Sequence, residues 1–155
     1  MNHSRRKALK AGSSAGLLAL LAAAGIVKPG LVFAQGMDAA FNTKTLQDTL
    51  RALGAQSPAA SDAIVIKAPA IAENGAVVPI TVESKLPGTE SISFLVEKNP
   101  QPLAASFQIP AGTEGSVATR VKMGQSSDVY ALVKADGKFY VAKQEIKITL
   151  GGCGG

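Results

Sequence analysis

One cysteine and one histidine in 155 residues leave little reactive chemistry in this chain. The lone cysteine, Cys153, excludes a disulfide within the chain and cannot build a cysteine-rich zinc site. The lone histidine, His3, lies in a stretch that reads as a removable leader. Without it the chain has no Ser-His or Cys-His nucleophile pair and no imidazole metal ligand. Carboxylates are scattered singly, the pattern of solvated strand and helix faces. Self-contained catalysis is therefore not expected, and no catalytic residue, metal ligand or bound cofactor is assigned.

The leader spans residues 1–34. It opens with the basic "MNHSRRKALK", continues with the apolar "AGLLALLAAAGIV" (15–27) and closes with "VFA" before Gln35. Val32 and Ala34 are small enough for a signal peptidase that cuts between Ala34 and Gln35. Arg5 and Arg6 sit in "SRRKALK", which is similar to the twin-arginine motif S-R-R-x-F-L-K, with Ala8 where Phe is usual. The apolar run falls short of the roughly 20 residues that span a membrane. The expectation is export to the periplasm by the twin-arginine route, with no membrane attachment after cleavage.

Removing the leader changes the charge. It holds five of the 16 basic residues and none of the 11 acidic ones, leaving 11 of each. The isoelectric point near 9.5 thus belongs to the leader. A neutral chain offers no basic surface for nucleic acid or anionic lipid, and neither is expected as a partner.

The remaining chain suits one domain. "DAAFNTKTLQDTLRALG" (38–54) reads as a helix with Phe41, Leu46, Leu50 and Leu53 along one stripe. Asn42 or Thr43 can cap its start and Gly54 can end it, with a loop over 55–61. Strands are expected over 62–72, 76–84, 90–98, 103–110, 115–124, 126–135 and 138–150. Asn74-Gly75 and Asp136-Gly137 mark tight turns, "NPQP" (99–102) a third, and Pro79 argues for an edge or bulge position. Along 90–98, Ile92, Phe94 and Val96 alternate with Ser91, Ser93 and Leu95, so one face should be buried. Short strands at this spacing favour a mainly β fold, an immunoglobulin-like antiparallel β-sandwich preceded by one short N-terminal helix. A small barrel is the alternative.

The chain ends in "GGCGG" (151–155). Gly151, Gly152, Gly154 and Gly155 read as a flexible arm with no Cβ to widen it, because glycine accepts any backbone region. The organisation is then leader (1–34), helix plus sandwich (35–150) and arm (151–155). From Leu150 the sulfur of Cys153 can reach about 10 Å at 3.3–3.6 Å per residue. No cation lies beyond Lys147, so nothing nearby in sequence activates the thiol. An ordinary thiol with a pKa near 8.5 is only about 3% thiolate at pH 7. A lone cysteine in an exported chain points to an intermolecular bond or a reactive thiol. Two readings follow: covalent carriage of a group on Cys153, or an exported adaptor whose tail cysteine cross-links subunits.

With its export signal, β-rich body and terminal "GGCGG", the chain resembles the SoxY family, the sulfur-carrier subunits of the bacterial thiosulfate-oxidising system. The segments "IAENGAVVPITVES" (71–84), "VEKNPQPLAASFQIP" (96–110) and "TRVKMGQSSDVYALVKADGKFYVA" (119–142) carry the likeness through the interior. The resemblance implies a partner, SoxZ, in a heterodimer or heterotetramer exported already folded. It implies that Cys153 holds S-thiosulfonate and persulfide intermediates. The c-type haem enzyme SoxAX would load it and the manganese hydrolase SoxB would unload it. Where present, the sulfur dehydrogenase SoxCD would oxidise the remaining sulfur.

Overall fold

The structure, a computed structural model, describes residues 37–149, which lie within the second of two units, Met37–Gly155. Two short helices come first, α1 over 37–41 and α2 over Leu46–Ala52. Nine strands follow: β1 Ala59–Ala60, β2 Ile64–Lys67, β3 Ile71–Ala72, β4 Val78–Ser84, β5 Thr89–Val96, β6 Leu103–Gln108, β7 Ser116–Val121, β8 Ser127–Ala135 and β9 Lys138–Ile148. They form two sheets. The larger runs β1-β9-β8-β5-β6, with β3 also on β9, and the smaller runs β2-β4-β7. Pairing is antiparallel except where β1 and β3 join β9. This is the expected sandwich.

Period-two alternation builds its core. Val78, Ile80 and Val82 of β4 point inward and are at most 1% exposed. They meet Ile92, Phe94 and Val96 of β5 and Val129, Ala131 and Val133 of β8. Phe94 stacks edge-on against Phe107, with ring centroids 5.9 Å apart. Each fully buried valine, isoleucine or phenylalanine among them contributes about 1.5–3 kcal/mol.

The other face of the large sheet is also covered, and here the expectation for β5 needs correction. Leu95, with Leu103 and Leu132, lies beneath Ala40, Leu46, Leu50 and Leu53 of the helical segment, so both faces of β5 are buried at its centre. Ser93 is tolerated there because its hydroxyl pairs with Ser106 at 2.8 Å.

The expected single helix is two. Thr45 adopts an extended backbone and its hydroxyl accepts the Asp48 N–H at 3.1 Å, so the N-cap of α2 falls at Thr45, not at Asn42 or Thr43. Thr43 instead bonds the fully buried Thr49 hydroxyl at 2.6 Å and ties the two helices together. Phe41 leaves the stripe and is 38% exposed. Gly54 ends α2 as expected, with φ of 77°.

The run 62–72 yields two strands in different sheets, because the chain crosses between the sheets at Ala68–Ala70. β1 arises inside the expected loop. Pro79 sits in the middle strand of the small sheet, but β2 pairs only with Thr81–Ser84. At the level of Pro79 the strand therefore has one neighbour, β7, and the missing N–H costs no ladder bond on the open side. Asp136 and Gly137, with φ of 48° and 73°, make the tight β8–β9 hairpin.

Candidate functional site

Every residue assigned to the site from sequence lies outside the described residues: Cys153, its neighbours Gly151, Gly152, Gly154 and Gly155, and the leader residues Arg5 and Arg6. The structure defines the base from which the thiol-bearing tail departs.

That base is the end of β9. Parallel pairing with β3 places Ile71 beside Lys147 and Ala72 beside Ile148. The Lys147 N–H donates to the Ala70 carbonyl at 2.9 Å, and the Thr149 N–H donates to the Ala72 carbonyl at 3.1 Å. On the opposite side β8 begins only at Ser127, which pairs with Ile146. One step further, the Ser126 hydroxyl replaces a backbone partner and accepts the Ile148 N–H at 2.9 Å. Past this level β3 turns away at Asn74-Gly75, where the Asn74 side chain accepts the Ala76 N–H at 2.9 Å. Both ladder partners of β9 therefore run out at nearly the same level, just before Thr149.

Three loops meet around this base: 73–77, 97–102 and 122–126. Gly75 joins the first to the third. Its carbonyl accepts the Met123 N–H at 2.7 Å. A Cβ added there would lie 2.4 Å from the Met123 carbonyl oxygen and 3.2 Å from Ile148 Cγ2. Asn99 joins the second loop to the third, donating to the Lys122 carbonyl at 2.7 Å and accepting the Gly124 N–H at 3.2 Å. The buried Ser127 hydroxyl accepts the Lys98 N–H at 3.0 Å and locks the end of β5 to the start of β8. Asn74-Gly75 was legible in the sequence as a turn. The turn at 99–102 was legible too, but the bonds that Asn99 and Ser126 make were not, because a polar loop residue gives no sign of which backbone group it will meet.

Other features are separate from this base. A groove of about 550 Å³ is lined by Ser61, Asp62, Ile64, Ile66, Tyr130 and Lys143, among others. Lys143 pairs with Asp128 at 3.0 Å, which raises its pKa, and burial with nearby Glu97 raises that of Tyr130. Lys143 lies six residues before Thr149 on one strand, about 20 Å away. Cys153 comes four residues after Thr149, and four residues span at most about 13–14 Å. The Lys143 side of the groove lies beyond that span. Among the described residues, no cluster of three or more His, Cys, Asp or Glu could hold a metal ion. No described helix is long and apolar enough to cross a membrane.

Fold and base together define a class: a small two-sheet β-sandwich whose one thiol follows shortly after a firmly anchored last strand. Residues 50–153 match the family described as sulfur oxidation protein SoxY, about two thirds of the chain. The sulfur carrier protein SoxY from Chlorobium limicola f thiosulfatophilum is similar at 39% identity, with a TM-score of 0.62 over 70% of this chain and 96% of that one. A superoxide reductase (neelaredoxin) from Ignicoccus hospitalis, variant E23A, shares the fold alone, at 18% identity and a TM-score of 0.50, covering 64% of this chain and 87% of that one. Among curated proteins nothing matches. The chain belongs to the SoxY family of sulfur oxidation proteins. Each interior segment that carried the resemblance contains one of the three loops around the base of the tail.

Proposed function

We propose that this protein is an exported covalent sulfur carrier that holds its cargo on Cys153. The observation that carries this reading is the extent of the family match, which runs through the end of β9 and stops on Cys153. The resemblance to the SoxY carrier of Chlorobium limicola supports the same role. In this reading the chain supplies a handle and its partners supply the catalysis.

The chemistry follows from the thiol. Loading joins the Cys153 sulfur to the outer sulfur of thiosulfate; one S–S bond forms, the thiol proton leaves and an electron pair passes to a c-type haem enzyme of the SoxAX kind. Water then attacks the terminal sulfonate sulfur in a manganese hydrolase of the SoxB kind. The bond between that sulfur and the carrier's outer sulfur breaks, releasing sulfate and protons and leaving a persulfide. Where present, a sulfur dehydrogenase of the SoxCD kind takes electrons from the outer persulfide sulfur while water supplies its oxygens and protons leave; the hydrolase then adds water to the resulting sulfonate, releasing sulfate and restoring the Cys153 thiol. Gly151, Gly152, Gly154 and Gly155 form the slim arm that admits the cysteine to these sites, and a SoxZ-like protein is the standing partner. Arg5 and Arg6 direct the folded protein to the periplasm by the twin-arginine route.

Reconstitution with the haem enzyme and hydrolase tests this. Cys153→Ser should abolish thiosulfate-dependent electron transfer and leave the melting temperature and partner binding unchanged. Undiminished electron transfer in that variant would sink the carrier reading.

A further inference from the structure

We infer that Asn74-Gly75 is a self-modifying site: the Gly75 nitrogen attacks the Asn74 side chain, ammonia leaves, and the turn between β3 and β4 becomes an isoaspartyl link. The reaction uses only described residues and does not depend on Cys153. The fold makes two demands at this turn. It uses a side-chain acceptor at position 74, because Asn74 Oδ1 takes the Ala76 N–H at 2.9 Å, in a turn closed by the Val77 N–H on the Asn74 carbonyl at 3.4 Å. It uses glycine at position 75, because a Cβ there would lie 2.4 Å from the Met123 carbonyl oxygen. Asparagine followed by glycine meets both demands, and glycine also offers the least hindrance to an attack by its own nitrogen.

The bonds that shape the turn also assemble the reaction. Folding the Asn74 side chain back onto the Ala76 N–H lays its Cγ beside the Gly75 nitrogen. The Ala76 N–H already points at Oδ1, the atom that gains negative charge when Cγ is attacked. Among the described residues no acceptor holds the Gly75 N–H, and Asn74 is exposed to water. The Gly75 N–Cγ bond forms, the Cγ–Nδ2 bond breaks, and ammonia leaves with the Gly75 amide proton. Water then opens the cyclic imide. Breaking the new N–Cγ bond gives aspartate, and breaking the original peptide bond gives isoaspartate, whose backbone runs one carbon longer. That extra length presses on Gly75, whose carbonyl accepts the Met123 N–H at 2.7 Å. The other described asparagines lack this arrangement. Asn99 precedes Pro100, whose nitrogen has no proton to give up. Asn42 precedes the β-branched Thr43, and its Nδ2 donates to the Asp38 carbonyl at 2.8 Å.

Ageing the purified full chain in neutral buffer tests this. Trypsin releases residues 68–85, in which Asn74 is the only side-chain amide. Its mass change and its labelling by an isoaspartyl methyltransferase are followed from a zero-time background, beside a synthetic peptide of the same residues. Native Asn74 should convert within about threefold of the free peptide's rate or faster, and Asn42 and Asn99 at least about tenfold more slowly than Asn74. Asn74→Gln should take no label in this segment. In aged protein the Met123 amide should exchange at least about threefold faster, whereas fresh Asn74→Asp, which keeps the acceptor and the backbone length, should exchange as fresh wild type does. Native conversion more than about threefold slower than in the peptide would show that the turn protects Asn74 and would overturn the inference. Aspartate without isoaspartate, or unaltered Met123 exchange in labelled protein, would overturn the isoaspartyl link.

Discussion

Gly75→Ala should weaken the fold and disturb the base of the tail together. The new Cβ would begin 2.4 Å from the Met123 carbonyl oxygen, where contacts below 3.0 Å do not persist, so one backbone must retreat by about 0.6 Å or more. The two segments are already joined by the Met123 N–H bond to the Gly75 carbonyl at 2.7 Å, and separating them stretches that bond. Overpacking of this kind costs about 1–3 kcal/mol, and a weakened backbone hydrogen bond adds about 0.5–1.5. A total of about 2–4 kcal/mol lowers Tm by roughly 8–16 °C for a domain of this size, at about 4 °C per kcal/mol. The chain has no tryptophan, so the melt is best followed by far-ultraviolet circular dichroism. Because Ile148 Cγ2 is the other near neighbour of the new Cβ, the Ile148 and Thr149 amides should also exchange faster in the variant. Gly124→Ala, which meets nothing, should stay within about 0.5 kcal/mol of wild type. A Tm loss below about 2 °C in Gly75→Ala would refute the claim that these segments are in essential contact.

Ser126→Ala removes the acceptor of the Ile148 N–H and should cost about 0.5–1.5 kcal/mol, with faster hydrogen exchange at Ile148; unaltered exchange would show that the serine does not hold the end of β9. Gly152→Val thickens the proposed arm and should slow turnover with both partner enzymes at unchanged Tm, whereas equal rates would count against slimness as a requirement. Glu90 has a lowered pKa, first through its hydrogen bond from Lys134 and then through the Gly137 N–H. A depressed carboxylate stabilises fully above its unfolded value of about 4.3 and loses that contribution as pH falls through the lower folded value. Glu90→Gln should therefore lose less Tm than wild type on acidification below about pH 4.3, by a small, salt-sensitive amount because the pair is partly exposed. Equal acid losses in the two proteins would discard the linkage.

Much of this was readable in advance, for identifiable reasons. Asp136-Gly137 demands two positive φ angles, so the hairpin follows from residue type alone. Val78, Ile80 and Val82 alternate, and one sheet face follows. The thiol and its glycines needed no fold at all to be noticed. By contrast, an apolar run such as 62–72 says nothing about which sheet will receive it, and only long-range pairing split it into β2 and β3. Thr49 was invisible as a core residue because a hydroxyl reads as surface until Thr43 and the Thr45 carbonyl satisfy it. Leu95 and Leu132 acquire their partners from the helical segment, so strand periodicity could not show that the large sheet is covered twice. The base of the tail depends on Ser126 and Asn99 meeting backbone groups 22 to 25 residues away, which local pattern does not encode.

The central claim is that Cys153 carries sulfur, and the mass of its own peptide tests it most directly. Lys147 is the last basic residue, so trypsin releases residues 148–155 with the only cysteine of the chain. Protein from cells grown on thiosulfate should give this peptide with added sulfur or thiosulfonate, lost on reduction. Only the free thiol, or only a disulfide between two such peptides, would contradict carriage.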